Sequence, residues 1–201
     1  MTSEGEALDR FVRDAQRALA EKGPLHQAER GVPARPGLYA IYGDPETWRE
    51  LGIGDPPDER PLYVGKAEDS LVTRDLSTHF GNGRTGSSTV RRSFAALLRE
   101  PLRLAALPRN PKRPERFANY GLSGEHDQRL TAWMRTKLGL AVWPKPDDCE
   151  FALLQVEVAL LAHLLPPLNL KDVTTPWTTQ LKTARAAMAS EARTWAERRN
   201  A

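Results

Sequence analysis

The sequence predicts an α+β fold, and three observations predict it. Two short apolar and aromatic segments, residues 37–43 and 61–66, read as strands, and residues 140–143 read as a third. Long stretches with apolar residues at helical spacing lie before, between and after them. The strands are not interleaved with regular helical crossovers, so a small mixed or antiparallel three-stranded sheet flanked by helices is expected, not a parallel α/β array. At 201 residues the chain can build one good core and hardly two.

Each element follows from its residues. Ser3 and Glu6 have capping-box spacing. Leu8, Phe11, Val12, Ala15 and Leu19 then recur on one helical face until Gly23 and Pro24 end it. Pro33 and Pro36 stiffen the approach to strand 37–43. Residues 44–60, rich in Pro, Gly and Asp, form a long loop with a helical turn near Thr47 to Leu51. Strand 61–66 follows. Residues 70–80 read as a helix, 81–86 as a turn and 88–98 as a second helix, and the prolines at 111 and 114 mark a loop. Strand 140–143 precedes a strongly apolar helix at 149–165, which Pro166 and Pro167 terminate. A final amphipathic helix places Leu181, Ala184, Met188, Ala192 and Trp195 on one stripe.

Composition narrows the function classes. Hydrophobic residues make up 40% and charged residues 27%, which excludes disordered and fibrous classes. The richest apolar run, 151–165, is interrupted by Gln155, Glu157 and His163, so no membrane span is expected. Acidic residues at 4, 6, 9 and 14 are incompatible with a secretory leader. The single cysteine, Cys149, forbids an internal disulfide and a paired-cysteine zinc site. These features point to the cytoplasm. Net charge is only +3, but residues 84–116 hold nine basic side chains against two acidic ones. That segment is +7 and the remainder is therefore −4. Such a block suits a polyanion-binding face, although a solvated surface would look the same.

The residues that carry chemistry lie on the strands and the apolar helix. Side chains alternate along a strand, so Tyr39 shares a face with Ile41, and Tyr63 shares one with Gly65. Antiparallel pairing would put both phenols on one side of the sheet, above a glycine that leaves room for close approach. Packing alone would explain two strand tyrosines. Glu157 is less easily explained, because Leu153, Leu154, Leu160 and Leu161 surround it at helical spacing. A carboxylate there needs a cation, either a divalent metal or an arginine.

With these residues assembled, the sequence resembles the GIY-YIG nucleases. Gly37-Leu38-Tyr39 and Tyr63-Val64-Gly65 match the two tripeptides that name the family, and the resemblance continues through Lys66, Arg74, Glu157 and Asn169. It covers roughly residues 37–169. It implies a GIY-YIG nuclease domain at 31–175, with a helical extension at 1–30 packed on the core and an amphipathic helix at 176–201. It also implies a metal-dependent endonuclease acting on DNA in restriction, defence or repair. Tyr39 would be the general base or would position the attacking water, and Tyr63 would contact the scissile phosphate. Arg74 would stabilise charge developing on phosphorus. Glu157 would hold a single Mg²⁺ or Mn²⁺, and Asn169 would shape the metal end. Lys66 and His79 are candidates for proton transfer, since a free tyrosine, with a pKa near 10, is a poor base at neutral pH.

The chain departs from the family pattern in two places. Here 23 residues separate the two tyrosines, so residues 44–60 read as an insertion of the kind some restriction enzymes of the family resemble. The interval from Tyr63 to Arg74 is one residue longer than usual, which keeps Arg91 and Arg92 as rival catalytic arginines. Gly81, Gly83 and Gly86 match a dinucleotide fingerprint by spacing, but a helix and not a strand precedes them, so no such cofactor is expected. Ser87, Ser88, Thr89, Arg91 and Arg92, at a helix start, and Lys112 and Arg113, in a basic loop, are candidate phosphate contacts. RNA stays open as a substrate, a non-catalytic binding protein is the alternative class, and the last helix offers a surface for a homodimer.

Overall fold

Alternation along the tyrosine-bearing strand becomes burial on both sides of a sheet. A computed structural model describes residues 4–72, 78–110 and 112–200. It begins with α1 (Glu4–Ala20), the two-residue strand β1 (Gly23–Pro24), α2 (Leu25–Ala28), β2 (Gly37–Gly43), α3 (Pro45–Glu50) and β3 (Tyr63–Ala67). It continues with α4 (Thr89–Leu97), a small ribbon of β4 (Ala106–Leu107) and β5 (Gly121–Leu122), α5 (Gly124–Lys137), β6 (Leu138–Pro144), α6 (Leu153–Leu164) and α7 (Thr178–Asn200). Among the described residues the main sheet runs β1-β6-β2-β3, antiparallel throughout. The three expected strands form its body, and β1 adds a short fourth at one edge.

The two faces of β2 enter different cores. Leu38, Ala40 and Tyr42 join Val64, Ala141 and Trp143 under α1 and α6. Tyr39 and Ile41 join Ala67 on the other face, which α4, α5 and α7 cover. α1 is fastened by its own residues: Trp143 Nε1 donates to Asp14 at 2.8 Å, and Tyr42 Oη donates to the Leu19 carbonyl at 2.7 Å. The long hairpin loop carries α3, capped by the Asp44 carboxylate accepting from Thr47 N–H at 2.7 Å.

Some expectations shift. The apolar helix starts at Leu153, not 149, after a turn in which Cys149 N–H donates to the Pro146 carbonyl. Helix α5 was not expected at all. Ser123 caps it, acids occupy its first turn and bases its last, yet its apolar stripe is reduced to a few residues such as Leu130 and Met134. Residues 73–77 of the helix expected at 70–80 lie outside the described residues. Leu71, Val72, Thr78 and His79 carry helical backbone.

Candidate active site

The site forms where β3, the free edge of the sheet, meets α6 and the start of α4. Tyr39 faces Gly65 across the β2–β3 ladder, and Tyr63 faces Ile41. The two rings lie on one side with centroids 6.1 Å apart. Gly65 permits this. A Cβ there would fall 2.8 Å from a Tyr63 ring carbon and still closer to the Tyr39 phenol.

The Tyr39 hydroxyl is engaged. It lies 2.6 Å from His79 Nε2, and His79 Nδ1 lies 2.7 Å from Ser88 Oγ, which also accepts the Arg91 amide at 3.1 Å. All three side chains are fully buried. Two proton arrangements fit this chain. In one, Ser88 donates to Nδ1 and Nε2–H donates to Tyr39. In the other, Tyr39 donates to Nε2 and Nδ1–H donates to Ser88. Ser88 was expected to meet phosphate; instead it caps α4 and holds the imidazole, closed to solvent.

Glu157 lies across a cavity of about 330 Å³ whose walls include Tyr39, Tyr63, Lys66, Thr89, Asn169 and Asp172. Burial pushes its carboxyl up to about 7; Lys66 opposes that shift and Asp172 adds to it. Among the described residues Glu157 has no hydrogen bond and no ion pair, so no described arginine is its compensating partner. Lys66 is paired with Glu68 beside it.

Asn169 serves the strand. Leu165, in the left-handed conformation with φ 45°, ends α6 and turns the chain back along β3. Leu168 N–H then donates to the Leu62 carbonyl at 2.9 Å. The Asn169 amide accepts Val64 N–H at 3.0 Å and donates to the Val64 carbonyl at 2.8 Å. A buried side chain thus supplies both bonds that a neighbouring strand would have made.

Arg91 is corrected by the structure. It was a candidate for phosphate contact and for catalysis, but its guanidinium is fully buried and points away from the cavity. It pairs with Asp127 at 2.9 Å, and it donates to Thr85 Oγ1, Thr131 Oγ1 and the His79 carbonyl. Asp127 also accepts the Gly83 and Thr85 amides. The glycine turn is therefore pinned to α5, which sequence reading missed because the ion pair spans 36 residues. Arg92 is almost buried, donating to the Gly86 carbonyl and Thr89 Oγ1. Ser87, Thr89, Lys112 and Arg113 are exposed. Arg74 lies outside the described residues. A separate cavity of about 360 Å³ opens near the other end of β2, and four of its charged walls are paired with each other, Lys22 with Glu59 and Arg60 with Asp58.

A profile of the GIY-YIG catalytic domain matches residues 54–187, about two-thirds of the 201-residue chain. The chain belongs to the GIY-YIG family. The matched span includes Tyr63, Glu157 and Asn169, while Tyr39 precedes it and is tied to it by the β2–β3 ladder. Neither the curated proteins nor the solved structures gave a match. As a GIY-YIG domain the chain is a nuclease by family, with nucleic acid as its substrate class and divalent metal as the usual cofactor. No described helix is long and apolar enough to cross a membrane.

Proposed function

We propose that the chain is a metal-dependent endonuclease that hydrolyses DNA phosphodiester bonds. The observation that carries this reading is the pairing of a buried Tyr39–His79–Ser88 chain with a carboxylate, Glu157, that has no ion pair among the described residues, across one cavity. Tyr39 alone is a weak base, but its proton can pass to His79 Nε2 while its oxygen takes one from a water. The imidazolium so formed donates Nδ1–H to Ser88. Tyr39 exposes no surface, so this role requires the attacking water to reach it in the substrate complex. Tyr63, only half-buried and lining the cavity, is proposed as the tyrosine that touches the scissile phosphate.

A divalent ion fits the residues present. No group of three metal-binding side chains exists among the described residues, and a lone carboxylate suits Mg²⁺ or Mn²⁺ that keeps most of its waters. Glu157 would hold it, and the ion when bound would neutralise phosphate charge and ease departure of the leaving oxygen. Lys66, already an ion-pair partner of Glu68, is suited to phosphate contact and less to taking a proton. Arg74 is proposed as the guanidinium that meets charge developing on phosphorus. Asn169 acts by fixing β3 and hence Tyr63.

Supercoiled plasmid with Mg²⁺ or Mn²⁺ tests the reading, with Glu157→Ala and Tyr39→Phe beside the wild type. Cutting by the wild type alone, with DNA binding kept in both variants, supports it. A discrete fragment ladder favours restriction or defence over repair. Binding without cutting, on duplex, single strand and RNA alike, would favour a non-catalytic binding protein.

A further inference from the structure

Three guanidiniums gather at the start of α4, one wall residue away from the catalytic cavity, with no carboxylate paired to them among the described residues. Arg92 on α4 is 7% exposed, and its Nε has no hydrogen-bond partner. Its NH1 is held by the Gly86 carbonyl at 2.8 Å and its NH2 by Thr89 Oγ1 at 3.2 Å, and Thr89 is itself a wall of the cavity. Arg109 lays its aliphatic stem across Gly86, where a Cβ would come within 2.8 Å of Cγ. Arg185 on α7 acts electrostatically on Tyr120, whose hydroxyl donates to the Arg92 carbonyl at 2.6 Å. Burial first, then Arg185 and Arg109, bring the Arg92 guanidinium down to about 10, while Tyr120 and Tyr63 partly offset them. None of the three has an ion pair among the described residues. Like charges confined this way are unfavourable until an anion arrives, and guanidinium forks match phosphate oxygens.

We propose that Arg92, Arg109 and Arg185 form a second phosphate subsite, which grips a backbone phosphate flanking the one in the Tyr63–Glu157 cavity. The proposal rests on the nuclease reading and adds to it: α7 becomes part of the substrate site and is not only a packing helix. Thr89 links the two subsites, since it bonds Arg92 and also lines the cavity. Arg113, near Arg109 in a small cavity of about 220 Å³, would continue the same track.

Duplex binding by the cleavage-silent Glu157→Gln chain, followed by fluorescence anisotropy across a salt series, tests it. Arg109→Gln and Arg185→Gln should each lower the slope of log affinity against log salt by about one, with roughly fivefold weaker binding near physiological salt. Arg13→Gln on α1, across the sheet, should change neither. Arg109→Lys and Arg185→Lys, which keep the charge, should retain the slope, and thermal melting checks that all variants fold. Normal slope and affinity in both glutamine variants, with duplex binding intact, would overturn the subsite alone. Failure of the Glu157→Gln chain to bind any nucleic acid would remove the nuclease reading and the subsite together.

Discussion

The two halves of the cavity are built on opposite terms. On the tyrosine side, Tyr39, His79 and Ser88 are fully buried and pass hydrogen bonds from one to the next. On the glutamate side, Glu157 is half-buried with no hydrogen bond or ion pair among the described residues, and its carboxyl is pushed up by burial. The first half is finished as a piece of protein structure, and its hydrogen bonds stabilise the fold while they orient the proposed base. The second is unfinished, and its instability is the capacity to bind something. Function and stability should therefore fall together on one side and move apart on the other.

The sharpest break is Glu157→Gln. Cleavage should fall on the order of 10³-fold, while the melting temperature measured in chelator at pH 8 rises, because an uncompensated carboxylate is gone. Tyr39→Phe tests the opposite half. Removing the hydroxyl takes away a buried hydrogen bond to His79 Nε2, so single-turnover cleavage should drop about 10²-fold or more and stability by about 1–3 kcal/mol in urea titration. If Tyr39→Phe left stability unchanged, the two sides would not differ as described.

Acidity separates the halves a third way. The Glu157 carboxyl moves from 4.5 to about 7 on folding, so the folded chain holds more protons than the unfolded one between those values. Metal-free stability should then fall as pH rises from about 4.5 to about 7 and level off above, and Glu157→Gln should remove that slope. Divalent-ion affinity should run the other way, weakening about tenfold per unit below about pH 7 in calorimetric titration. The smallest effect is expected from Ser88→Ala. It removes a helix cap and the far end of the imidazole's hydrogen bonding, costing about 1 kcal/mol by chemical denaturation and about tenfold in rate.

What could be read from residues alone follows the range of the forces involved. The β2–β3 hairpin was legible, down to the shared face of Tyr39 and Tyr63, because side-chain alternation is a local property. Glu157 stood out because its helical neighbours are local too. The partnership of His79 with Ser88 was not legible, although each was a candidate separately, because a turn whose shape depends on Asp127 brings them together. Asp127 in turn sits on α5, a helix whose thin apolar stripe gave no periodic signal, and forms an ion pair with Arg91. Arg91 misled for the same reason. An arginine at a helix start looks like a phosphate ligand until its carboxylate arrives from 36 residues away.

The Asn169 amide has a consequence for how the molecule behaves in company. An open strand edge is a template on which another chain can add itself, and β3 is such an edge. By meeting both polar groups of Val64, one side chain closes that template with atoms that cannot be extended further. The sheet is stopped from growing at the strand where the enzyme must stay open to its substrate.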